Sequence, residues 1–243
     1  MEYYHAGVCS PYRPDGSQVM TENLDAKKTQ EREVRQYSKG EEIANSVSHG
    51  VGAVLSVAAL VLLVVEAQAH GGGTRLVAAL LMGGGLVVEY TFSTLYHAIV
   101  SPEAKRRLRV LDHCGIYLLI AGSYAPYALV TLADHGGPTL CAIVWIIAGA
   151  GIIAECAMRE RQPKWLSAVI YVAMGWLVVF CASDLIALLP ATAFALLLAG
   201  GICYTAGAVF YAFKRIPYLH FVFHLLTLAG SILMVVSVLL YVM

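Results

Sequence analysis

Glu89, Ser93 and His97 stand four residues apart in an apolar stretch, and His220 and His224 repeat that spacing near the end of the chain. Asp112 and His113 form a third polar point, again beside apolar sequence. Residues four apart share one face of a helix, so each set presents its polar groups together. Three histidines on two helices suit zinc. The HxxxH pair offers two imidazoles, a third from a facing helix completes a trigonal base, and the fourth position stays open for water. Zinc can lower the pKa of that water towards about 7. Asp112 could then take the water's proton or hydrogen-bond one of the ligands. Ser93 could donate to an oxyanion or orient the water. An HxxxH pair alone is a weak signal, because histidines near a bilayer boundary can simply reach the headgroups.

What could bring these positions together is a set of membrane spans. Hydrophobic residue types make up 59% of the 243 residues and charged types 13%, with a mean hydropathy of +0.70. Soluble domains carry about 25% charged residues, so the bilayer is the simplest place to bury this chain. Seven apolar segments can be drawn, over 43–67, 76–100, 111–132, 139–157, 165–182, 185–213 and 218–243. The sixth holds Pro190, which moves its expected start towards Ala191. The fold class expected is therefore an all-α integral membrane protein, a seven-helix bundle over 41–243. Residues 1–40 are expected to be a disordered cytoplasmic tail, with a short interfacial helix over 27–35.

Charge supports that count. Of the 16 Lys and Arg residues, 15 fall in the tail or in the loops after spans two, four and six; Arg75 is the exception. By the positive-inside rule the N-terminus is cytoplasmic and the C-terminus outside. Span two then ends inside, while spans three and seven begin there. His97, Asp112, His220 and His224 accordingly share one depth, near the inner leaflet, and ionisable groups within spans ordinarily face a bundle interior. Glu89 could line a cavity, relay protons or hydrogen-bond a neighbouring helix. His49 and His113 read as interfacial. His5, His70 and His135 read as solvated, the glycine clusters as points of close helix approach, and the six cysteines as small reduced hydrophobes. The zero formal net charge gives no reason to expect a nucleic-acid partner.

At these residues the sequence resembles the hemolysin III group of the progestin and adiponectin receptor superfamily, which is distantly related to alkaline ceramidases. The resemblance lies in Asn45-Ser-Val-Ser-His49-Gly, Glu89-Tyr-Thr-Phe-Ser93-Thr-Leu-Tyr-His97, the stretch from Leu111 to Pro126, and His220-Phe-Val-Phe-His224. It implies seven helices with a cytoplasmic N-terminus, zinc on His97, His220 and His224, and an associated serine and aspartate at Ser93 and Asp112. Two functions remain open on this reading. One is a zinc-dependent intramembrane hydrolase of a lipid amide, ceramide-like, at the cytoplasmic side. The other is a non-enzymatic lipid-sensing, receptor-like or haemolysin-like protein with a structural zinc. A membrane lipid is the expected substrate or ligand, and a bacterial plasma membrane the expected location.

Overall fold

The computed structural model describes residues 37–158, 164–212 and 216–243. Among these there are seven helical segments long and apolar enough to cross a membrane, and no strand. Residues 1–36 of the expected tail, with its interfacial helix and His5, lie outside the described residues; Lys39 and Gly40, expected in the tail, belong to the first helix.

Helix α1 (Lys39–Ala69) starts at a capping box: the Glu41 amide donates to Ser38 Oγ, and the Ser38 amide donates to the Glu41 carboxylate. Two otherwise unpaired donors at the helix start are satisfied in this way. Helix α2 (Gly73–Ala98) follows. Helix α3 (Pro102–Pro126) opens with a proline in its first turn and runs on through a π turn at Tyr127–Thr131. Helix α4 is Gly137–Met158. The fifth span is composite, with α5 (Lys164–Gly175), a 3-10 stretch (Trp176–Cys181) and α6 (Ala182–Leu188). Helices α7 (Ala191–Ala212) and α8 (Leu219–Tyr241) complete the bundle.

The span count matches the hydropathy reading, with two boundaries moved. Span three begins at Pro102 rather than 111, because the basic run 105–109 is helical. Span five extends to Leu188, and the break before span six falls at Pro190, so residues 185–188 belong to the fifth span and not the sixth.

Helix α3 is the pillar of the bundle: 61% of its apolar window is buried, against 11% for the fifth span. Lipid supplies no hydrophobic drive between helices, so close backbone approach has to hold α3 in place. Gly85 on α2 and Gly122 on α3 provide it, since a Cβ at either would meet the carbonyl of Leu118 or Leu81 across the interface. Gly83, Gly151, Gly200 and Gly207 also meet neighbours at close range, whereas Gly84, Gly149 and Gly201 face open space. The core falls into two clusters. The first joins Leu63, Met82, Tyr90, Leu185 and Val238; the second joins Tyr117, Tyr124, Val144, Ala148 and Met174. The Tyr124 hydroxyl donates to the carbonyls of Met174 (2.9 Å) and Gly175 (2.7 Å) and accepts from the Val178 amide (2.9 Å), which satisfies backbone groups where α5 gives way to the 3-10 stretch.

The starts of α1 and α8 are tied together. Tyr218 enters α8 with φ of 60°, a left-handed conformation uncommon for a bulky residue, and its amide donates to Glu41 Oε1 at 2.9 Å. This contact sets the first turns of α8 beside the first turns of α1.

Candidate metal centre

The face of α2 that carries Glu89, Ser93 and His97 points inward, and all three side chains are buried. Helix α8 brings His220 and His224 to the same place. The Nε2 of His220 lies 3.3 Å from that of His97 and 3.1 Å from that of His224. The donor atoms of the three histidines all fall within 4.8 Å of one another, the one such group among the described residues.

The other ring nitrogens explain the orientation. His97 Nδ1 donates to Glu42 Oε2 at 2.7 Å, and Glu42 Oε1 accepts from Lys105 Nζ at 2.6 Å. His224 Nδ1 donates to the backbone carbonyl of Asn45 at 3.2 Å, with Ser48 Oγ at 3.3 Å. A carboxylate and a carbonyl only accept, so both Nδ1 atoms carry the proton. The Nε2 atoms of His97 and His224 are left with free lone pairs, each within 3.3 Å of His220 Nε2. A carboxylate or carbonyl behind a histidine is the usual support of a metal ligand.

This donor set fits zinc. Nitrogens held 2.0–2.1 Å from a tetrahedral ion lie about 3.3 Å from one another, close to the 3.3 and 3.1 Å of the two His220 pairs. Lone pairs crowded together repel without a cation, and His220 can donate to only one of its two neighbours. Three protein nitrogens leave a fourth position open.

Aromatic rings close around the cluster. Tyr37 stacks on His220 with centroids 4.8 Å apart, Tyr96 meets His97 edge-on at 4.6 Å, and Tyr211 lies 5.8 Å from His220. Burial, with Tyr96, Tyr211, Asp112 and Glu42 nearby, pushes the Tyr37 hydroxyl far above the ordinary tyrosine range, so it stays a neutral donor. Asp112 is buried on α3 and lies within electrostatic range of Tyr37, Tyr96 and Tyr211. It shares the histidines' neighbours but is not part of the converging donor group. Ser93 sits one turn from His97 on the same buried face.

Two histidines depart from expectation. His49 is not interfacial but buried, with its ring stacked on His224 at a centroid distance of 3.5 Å. His113 belongs to a second buried cluster: its Nδ1 lies 3.4 Å from Glu155 Oε2, Ser167 donates to Glu155 Oε1 at 2.7 Å, and Tyr171 donates to the His113 carbonyl at 3.0 Å. His70 is exposed beside Glu66, as expected of a solvated residue. None of the described cysteines forms a disulfide.

Glu42 and Lys105 escaped the sequence reading because each stands in a charged run. One signal could have found Glu42. The Ser38-x-x-Glu41 capping box starts the helix early, which places Glu42, Asn45 and His49 on one stripe.

Beside the cluster lies a cavity of about 260 Å³ with Glu89, Tyr204, Tyr211 and Phe223 in its wall. Phe223 stands 5.3 Å from His220 and 5.6 Å from His224, ring to ring, so it separates the cavity from the histidines.

Comparison with known proteins points to one family. The family described as "Haemolysin-III related" matches residues 37–235, a span that takes in Ser93, His97, Asp112, His220 and His224. The chain belongs to the haemolysin-III related family. It is 43% identical over 203 residues to Hemolysin-3 of Bacillus cereus, covering 84% of this chain and 92% of that one. It is 40% identical over 201 residues to the Hemolysin-3 homolog of Bacillus subtilis (strain 168), covering 83% and 94%. A human relative, Monocyte to macrophage differentiation factor, is 32% identical over 164 residues, 61% of this chain and 63% of that protein. This haemolysin-III family protein is thus integral to a membrane, with a histidine cluster able to hold a metal ion.

Proposed function

We propose that this family member is a zinc-dependent hydrolase of a lipid amide. It would work at the basic end of the bundle, facing the cytoplasm, in a bacterial plasma membrane. The observation that carries the reading is that the donor atoms of His97, His220 and His224 fall within 4.8 Å of one another, with two Nε2 pairs at 3.3 and 3.1 Å and hydrogen bonds on the far side of the His97 and His224 rings. The seven apolar spans that carry the cluster support a membrane lipid as the molecule acted on.

Zinc held by these three nitrogens supplies Lewis acidity and makes a bound water acidic near neutral pH. Glu42 keeps His97 in the tautomer that leaves Nε2 able to ligate, and Lys105 donates to the other oxygen of the Glu42 carboxylate. Asp112, buried in the same ring of tyrosines, takes the proton of the attacking water and returns it to the leaving amine. Ser93 donates a hydrogen bond to the oxygen on which negative charge develops. Tyr37, Tyr96 and Tyr211 exclude bulk water from the site.

The test is metal content together with fatty-acid release from N-acyl lipids, on protein purified without chelators. About one zinc per chain is expected in the parent. Asp112→Asn should retain it and lose release by about 100-fold or more. Undiminished release from that variant would remove Asp112 as the base, and absence of metal from the parent would remove the zinc reading.

A second reading has its own observation. Glu42 links α1, α2 and α3, and the histidines join α2 to α8, so zinc would brace four helices in a lipid sensor without turnover. Chelation that lowers thermal stability, in protein with no hydrolysis of any N-acyl lipid, would favour it.

A further inference from the structure

Glu89 is the acid in the wall of the cavity. It is 2% exposed, and its Oε2 has no hydrogen-bond partner. None of the described residues lining the cavity is Lys, Arg or His. Most of the other polar groups in the wall are already engaged. Tyr124 donates to backbone carbonyls, Thr205 to Gly201, Ser123 to Ile120, and Tyr204 shares a hydrogen bond with Ser231. Room for the carboxyl is built in, because a Cβ on Gly115 would collide with Glu89 Oε2.

A buried carboxyl without a partner is costly, and within a membrane span such a residue marks a binding or transport path. A hydroxyl could meet its hydrogen bond but would bring no charge to a wall whose described residues offer an acid and no base. A cation meets both needs. The cavity, about 260 Å³, lies just below the usual range of small-molecule sites, about 300–1,000 Å³. That is room for one aliphatic chain and not for a bulky headgroup.

We propose that this cavity binds a single-chain aliphatic amine, its ammonium group against the Glu89 carboxylate and its chain along Phe194, Leu197 and Met234. The site is separate from the histidine cluster. Glu89 stands eight residues before His97 on the same helix, about 12 Å of helical rise, and no histidine lines the cavity. Amine binding therefore does not rest on zinc or on hydrolysis.

Trp176 lies in the cavity wall, so tryptophan fluorescence can report occupancy. The full chain in lipid nanodiscs is titrated with dodecylamine, dodecanol and dodecanoate, with empty nanodiscs as the partition control. Dodecylamine is expected to bind about 10-fold more tightly than either of the others, the margin of a buried charge-assisted contact. Glu89→Gln keeps the shape and removes the charge. It should erase that advantage and leave dodecanol within about two-fold, while Ala208→Phe, which fills the cavity, should weaken all three. His220→Ala should leave amine binding intact, so a failed metal site and a failed amine site read differently. Dodecanoate bound as tightly as the amine by the parent would overturn the proposal, even should Glu89→Gln not fold. So would an amine affinity that Glu89→Gln leaves unchanged.

Discussion

The bundle buries two histidine–carboxylate pairs, and they end differently. His97 meets Glu42 at 2.7 Å and His113 meets Glu155 at 3.4 Å, each through Nδ1. Behind the first pair, the far side of the ring faces two more histidines and the carboxylate is shared with Lys105. In the second, the carboxylate's other oxygen accepts from Ser167, and among the described residues no converging group of metal donors surrounds the ring. A histidine backed by a carboxylate is thus not by itself a metal site. Convergence with other donors makes one, and the α1–α8 contact supplies it.

The sharpest way to break this contrast is to remove one histidine from each cluster. His220→Ala should abolish stoichiometric zinc in the purified protein, whereas His113→Ala should leave the zinc content unchanged; equal loss from both would end the distinction. Removing the carboxylates comes next. Glu42→Gln should weaken zinc affinity by about 10–100-fold in chelator competition, while Glu155→Gln leaves that affinity alone. The smallest effect belongs to the second pair's hydrogen bond. Ser167→Ala should lower thermal stability by about 1–3 kcal/mol by leaving Glu155 undersatisfied, with metal content intact. A loss of zinc in that variant would mean the two clusters are coupled.

Much of this was legible in the sequence, for identifiable reasons. Lipid demands long apolar helices, so hydropathy alone located seven spans. The four-residue spacing of Ser93 and His97, and of His220 and His224, is a local signal that survives folding unchanged. What failed to show depended on neighbours distant in sequence. Glu42 looked like the end of a charged tail until α8 was seen tied to α1 through Tyr218 and Glu41. Lys105 counted only as one more positive charge in a loop, yet it lies buried against Glu42. His49 looked interfacial because its own stretch is polar, but its burial is decided by the His224 ring laid against it. The fifth span was cut short because its change of helical form leaves little trace in hydropathy.

That change of form alters the phase of the span. A 3-10 helix advances about 120° per residue and an α-helix about 100°, so the six residues Trp176–Cys181 rotate everything after them by roughly 120° relative to an unbroken helix. Met174, before the stretch, packs into the cluster around Tyr117 and Val144, while Leu185, after it, packs into the cluster around Leu63 and Val238. In an unbroken α-helix these two residues, eleven apart, would point almost the same way, about 20° from each other. The twist lets one peripheral span fasten to both halves of the core.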